Sequence, residues 1–206
     1  MAVTSWFKRF QQAGTLEVFA GSNFTGSLWT TAFADAIKEF NQLMSSNGVK
    51  LTLTTGTQGA TEINSQVIVQ TANGKATPNY GYQPKPRTFD GNGLHGLTIP
   101  FADRKGFLEK AYIFVPATPR VDPKSKKSRE VGQAVRSFIL VHEFIHAAGL
   151  SNDEHTNEDC MCYPGELVTG NAAADDRVQP WGGLGKPMPP CTMIGKTVAN
   201  LKKAWP

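Results

Sequence analysis

Apolar side chains recur at three- and four-residue intervals through Phe33, Ile37, Phe40, Leu43 and Met44, so residues 31 to 44 predict a helix with one apolar stripe. Asn47-Gly48 ends it and turns the chain into VKLTLTT, residues 49 to 55, where Val49, Leu51 and Leu53 alternate with polar neighbours as a strand does. Short β-prone runs precede and follow this pair: LEVFAG, 16 to 21, and INSQVIVQ, 63 to 70. The Gly/Pro-rich, polar stretch from Thr71 to Asn92 predicts a long surface loop. GLHGLTIPF, 93 to 101, predicts an edge strand because Pro100 cannot donate to a ladder, and KAYIFVPAT, 110 to 118, a central strand. The longest helix is expected over 129 to 150, with Val131, Val135, Phe138 and Ile139 leading onto His142, His146 and Gly149 along one side. Residues 151 to 190 are mostly irregular, with a shaped turn at Trp181, Gly182 and Gly183. A final helix over 192 to 205 is expected to bury Ile194, Val198, Leu201 and Trp205.

Strand, helix, strand, strand is the order of a layered unit, so the fold class expected is α/β (α+β): a twisted mixed sheet, a backing helix, a second long helix and a C-terminal helix. At 206 residues the chain fits a single domain, 1 to 206 with a core at about 15 to 205. A hydrophobic fraction of 40% against 18% charged residues excludes a disordered reading.

The net charge of +4 is small, and Lys124, Lys126, Lys127 and Arg129 in one loop-like run supply much of it. No nucleic-acid-binding signature accompanies that run, so it reads as a solvated loop and no nucleic-acid partner is expected. No window approaches 18 consecutive apolar residues, which excludes a membrane-spanning helix, and MAVTSWFKRFQQ is not a secretory signal. The expectation is a soluble protein, either cytoplasmic or exported by a non-classical route. Of three cysteines, Cys191 could pair with Cys160 or Cys162 in an oxidising compartment, leaving one thiol over.

The chemistry concentrates in HEFIHAAGLSNDEHTNEDCMCYP, 142 to 164. His142 and His146 are one helical turn apart, so both imidazoles can reach one ion, and Glu143 can face a water on that ion as general base. The alternative is a buried helix whose histidines are satisfied by hydrogen bonds. Gly149 is the natural terminator of the helix. Beyond it, Asn152 is a poor ligand, Asp153 and Glu154 are chemically possible, and His155 best suits zinc's preference for imidazole.

These residues resemble the metzincin metallopeptidases, whose motif is HExxHxxGxxH or HExxHxxGxxD. His142, Glu143, His146 and Gly149 match it; Asn152 departs, and His155 would stand in three positions later. CMCYP resembles the family's methionine turn, with Met161 as the apolar floor and Tyr163 placed either to steady the tetrahedral intermediate or simply to pack at the turn. The resemblance implies a monomeric zinc endopeptidase acting on a peptide or protein substrate, with Zn2+ on His142, His146 and His155, and Glu143 and Tyr163 catalytic. It also implies that GLHGLTI forms the upper rim of a cleft along which an extended peptide adds as a strand, with His95 at its border. The competing expectation is an inactive protein of the same fold that keeps the metal for stability.

Overall fold

The computed structural model describes residues 4–80, 86–121, 129–151, 168–169, 178–179, 191, 193 and 195–206. Five strands form one mixed sheet: β1 (Thr15–Ala20), β2 (Thr52–Thr54), β3 (Val67–Ala72), β6 (Leu97–Ala102) and β7 (Leu108–Pro116), in the order β2-β1-β3-β7-β6. The first four in that order run parallel, and β6 runs antiparallel to β7 at the edge, with Thr98 opposite Ile113 and Pro100 opposite Ala111. The expected mixed α/β layering is therefore present.

β7 explains why a parallel strand reads as a nearly unbroken apolar run: both of its faces are covered. Ala111, Ile113 and Val115 point into the larger core beneath the helices, whereas Tyr112 and Phe114 point into a smaller one on the opposite face. β3 alternates in the same way, with Val67 and Val69 facing the helices and Ile68 facing away. The smaller core is roofed by a two-stranded ribbon, β4 (Gly74–Ala76) with β5 (Arg87–Phe89), which places Ala76 and Phe89 over the sheet. The surface loop expected over 71 to 92 thus begins within β3 and carries a ribbon, because two short segments were enough to cover an apolar sheet face. Within this smaller core Lys110 is buried, and its ammonium donates to the carbonyls of Glu62 and Ile63 and lies 5.0 Å from the Tyr80 ring centroid.

Against the other face lie α2 (Thr30–Ser46) and α3 (Gln133–Ala147). The stripe on α2 is buried as its spacing demands, and Phe144 of α3 packs edge-on against Phe33 and Phe40. Gly48, at φ 65°, ends α2 in the left-handed conformation. Two further pairs, β8 (Arg120–Val121) with β9 (Arg129–Glu130) and β10 (Val168–Thr169) with β11 (Val178–Gln179), are antiparallel, and α4 (Gly195–Ala204) closes the chain. On α4, Leu201 is buried and Trp205 follows it into the core; Ile194 lies outside the described residues.

Residues 4 to 13 are structural. Trp6 bridges to Leu108 at the start of β7, and α1 (Lys8–Ala13) follows. The last four carbonyls of a helix have no partner within it. Here Phe144 O, Ile145 O and His146 O accept from the amides of Ala148, Leu150 and Gly149, and the Trp6 indole donates to Ala147 O at 2.8 Å. The Trp205 indole reaches Ala148 O at 2.9 Å and the Thr4 amide reaches Gly149 O at 3.2 Å, so both ends of the chain are tied to the end of α3.

Gly149 sits at φ 113°, and a β-carbon there would collide with the Thr4 carbonyl oxygen. Gly149→Ala should therefore lower stability by about 2–4 kcal/mol, backbone strain and overpacking together. Gly48→Ala, strained but facing open space apart from the tip of Lys202, should cost about 1–2 kcal/mol. Urea denaturation of both variants measures the difference; equal losses would show that the Thr4 contact carries no weight.

Candidate functional site

α3 and β6 enclose a cleft of about 380 Å³, to which Thr4, Arg87 and His95 also contribute. His142, Glu143 and His146 line it from α3. His142 and Glu143 are 7% and 3% exposed and His146 is half-buried, so the cleft floor is polar and largely buried. Burial of ionisable groups is unfavourable unless their hydrogen-bonding capacity is met.

The partners of these groups define their state. His146 Nδ1 lies 2.8 Å from Leu150 O. A carbonyl only accepts, so Nδ1 carries a proton. The Nε2 atoms of His142 and His146 lie 3.1 Å apart, within hydrogen-bond distance. The two rings, with centroids 4.8 Å apart, are thus joined by an N–H···N bond between one turn of α3 and the next.

Glu143 faces β6, where its Oε2 is 2.6 Å from Thr98 Oγ1; the same hydroxyl lies 3.2 Å from Glu143's own carbonyl. This geometry serves both protonation states. An ionised carboxylate accepts from Thr98, whereas a protonated one donates to Thr98, whose hydrogen then turns to the carbonyl. Burial raises the Glu143 pKa above the ordinary carboxylate value, opposed by His146 and by the Thr98 hydroxyl. Gly96 makes the approach of the β6 segment to this carboxyl possible: a β-carbon there would lie 2.5 Å from Glu143 Cγ and 2.6 Å from its Oε1.

The helix brings His142, Glu143 and His146 together as its periodicity requires, and His95 does border the cleft. His155, Met161 and Tyr163 lie outside the described residues, as do Asn152, Asp153, Glu154, Cys160, Cys162, Lys124, Lys126, Lys127 and the turn at Trp181. Cys191 is a free, half-buried thiol among the described residues. Thr4 and Arg87 are site residues that the sequence reading missed, and within GLHGLTI, expected at the rim, it singled out His95 but not Gly96 or Thr98. Thr98 had a signal: in LTIPF the apolar Leu97, Ile99 and Phe101 alternate onto the smaller core, which turns Thr98 toward α3.

Among the described residues, no group of three or more His, Cys, Asp or Glu side chains is placed to hold a metal ion. That finding overturns the expectation of Zn2+ on His142, His146 and His155. With it fall the metzincin resemblance, its methionine turn, the zinc endopeptidase activity with Glu143 as base to a metal-bound water, and the inactive form that keeps the metal. The physical reason lies in the donor set: a zinc site takes three or four protein ligands. The described residues supply two imidazoles bonded to each other and a carboxyl engaged by Thr98.

No protein-family model matches the chain, and no similar sequence is found among curated proteins. No helix among the described residues is long and apolar enough to cross a membrane.

Because its folded-state pKa is raised, Glu143 favours the fold when protonated. That contribution is complete below the unfolded value of about 4.3 and is lost as pH rises through the raised folded value. A glutamine has no such loss. Glu143→Gln should gain stability relative to the parent between pH 4 and pH 7.5, read as a widening gap in urea midpoints; a gap that narrows with rising pH would contradict a raised pKa.

Proposed function

We propose that the cleft between β6 and α3 is a receptor for an extended peptide segment of another protein. The observation that carries this reading is the free edge of β6. Among the described residues β6 pairs with β7 alone, so its outer row of backbone donors and acceptors is available directly beside the cleft. An unpaired edge is a template for a further strand, and main-chain hydrogen bonds then supply affinity while flanking pockets read alternate side chains. Pro100 lacks an N–H and interrupts the donor row, which limits pairing along this edge to a short segment.

In this reading His142, Glu143 and His146 form the polar floor on which the bound segment rests. A carboxyl that can accept or donate through Thr98 suits a peptide backbone, which offers both N–H and C=O groups. We assign His155 and Tyr163 to the same site, as the polar and aromatic groups that follow Ser151 in the chain. The working unit is taken to be one domain of residues 1 to 206, acting as a monomer and not on nucleic acid.

An immobilised library of ten-residue peptides identifies a binder, and hydrogen exchange on the complex locates it. Amides of Leu97, Thr98, Ile99 and Phe101 should gain protection, and N-methylation of alternate peptide nitrogens should weaken binding by about tenfold for each main-chain bond lost. Binding that protects a different segment, or that is indifferent to N-methylation, would remove the strand-addition reading.

A further inference from the structure

The charges around the cleft are unbalanced, and this names the chemistry of the segment it takes. Arg87 on β5 and His95 ahead of β6 both line it, from different parts of the chain, and both are exposed. Among the described residues the Arg87 guanidinium has neither an ion-pair nor a hydrogen-bond partner, although it is held on a paired ribbon whose Phe89 is anchored in the smaller core. Among the described residues the sole acidic side chain lining the cleft is Glu143, which is buried on the floor and occupied by Thr98. Besides these groups and the two imidazoles of His142 and His146, the described lining is apolar or carries hydroxyls, as at Leu97, Pro100 and Thr4.

We infer that Arg87, with His95 also lining the cleft, makes it selective for a peptide bearing a carboxylate, so that Arg87 is its specificity-determining residue. The inference rests on the peptide-receptor reading and adds the ligand's chemical class to it. Charge complementarity is the argument. An arginine is charged at every accessible pH, and its planar fork matches a carboxylate with two parallel hydrogen bonds. An aspartate or glutamate side chain meets no exposed acidic group among the described lining residues, whereas a lysine would approach the Arg87 guanidinium. The carboxylate can come from a side chain or from a peptide C-terminus, since both present the same two oxygens.

The test uses one binding peptide from the library in four versions: Asp, Asn or Lys at the position nearest Arg87, each with an amidated C-terminus, and a version ending there in a free carboxylate. Fluorescence polarisation at low and moderate salt is measured on the full chain, Arg87→Gln, Arg87→Glu, and Lys75→Gln as a control of equal charge change on the same ribbon, away from the cleft. The parent should prefer Asp to Asn by about tenfold and Asn to Lys by a further several-fold, less so as salt rises. Arg87→Gln should erase the Asp preference, Arg87→Glu should invert it in favour of Lys, and Lys75→Gln should leave it intact. Selection of the free C-terminus over both side-chain versions supports the inference with the terminal carboxylate as its source. Binding that ignores the Asp, Asn and Lys exchange in the parent, or an Asp preference that survives in a folded Arg87→Glu, overturns it while leaving the peptide-receptor reading standing. If no peptide of any charge binds the parent, that reading fails and the inference with it. Thermal melts of the three variants establish that each is folded.

Discussion

The end of α3 is the point on which the molecule depends. Seven successive carbonyls, from Phe144 to Leu150, each meet a donor, and the donors come from three places: the helix's own last turn, the N-terminal Thr4 and Trp6, and the C-terminal Trp205. An unsatisfied buried carbonyl costs on the order of 1–3 kcal/mol, so a helix end submerged in the core requires such partners. Two indoles suit the task because each fills a large core volume and offers one N–H at its rim. Trp29 repeats the device on the sheet, donating to Pro116 O at 2.7 Å where β7 ends. Segments far apart in the sequence, around Thr4, Trp6 and Trp205, are thereby made part of the site's foundation.

The same seam determines the chemistry of the cleft. The seventh carbonyl, Leu150 O, accepts from His146 Nδ1–H, and that one bond orients the His146 ring so that its Nε2 meets His142. Gly149 holds the chain where Leu150 can be reached, and Thr4 packs against Gly149 while lining the cleft. Fold and site are thus not separable layers. A disturbance at the N-terminus reaches the imidazoles through two hydrogen bonds and one glycine.

Much of the layering was legible because single-residue burial follows period. α2 and α3 appear at their spacings, β7 as an apolar run, and Gly48 and Gly149 as terminators. What failed did so for physical reasons. The ribbon of β4 and β5 lay hidden in a stretch rich in turn residues, where three-residue strands leave too few positions for alternation to register. INSQVIVQ was taken as strand from Ile63, but the strand begins at Val67, and Ile63 stands 88% exposed while its carbonyl is spent on Lys110. The HExxH spacing predicted that two imidazoles and a carboxyl would converge, which they do. Spacing along one helix cannot report what the opposite wall offers, and there Thr98 engages the carboxyl while the imidazoles engage each other. The motif therefore specified a geometry, and its use in metal binding did not follow from it.

Glu143 remains the least economical residue in the fold, and that bears on what the cleft is for. A leucine or methionine of similar length would fill the same place between α3 and β6 without the desolvation cost of a carboxyl. Gly96 compounds the cost: the segment leading into β6 gives up a side chain so that the carboxyl can fit against it. The aromatic packing of Phe144 against Phe33 and Phe40 involves neither feature. Both make sense if β6 has to feel the floor of the cleft. Thr98 belongs to β6, which among the described residues pairs with β7 alone, and it is also the hydrogen-bond partner of Glu143, so in the proposed reading a strand added to that edge would bear, through one hydroxyl, on that buried carboxyl.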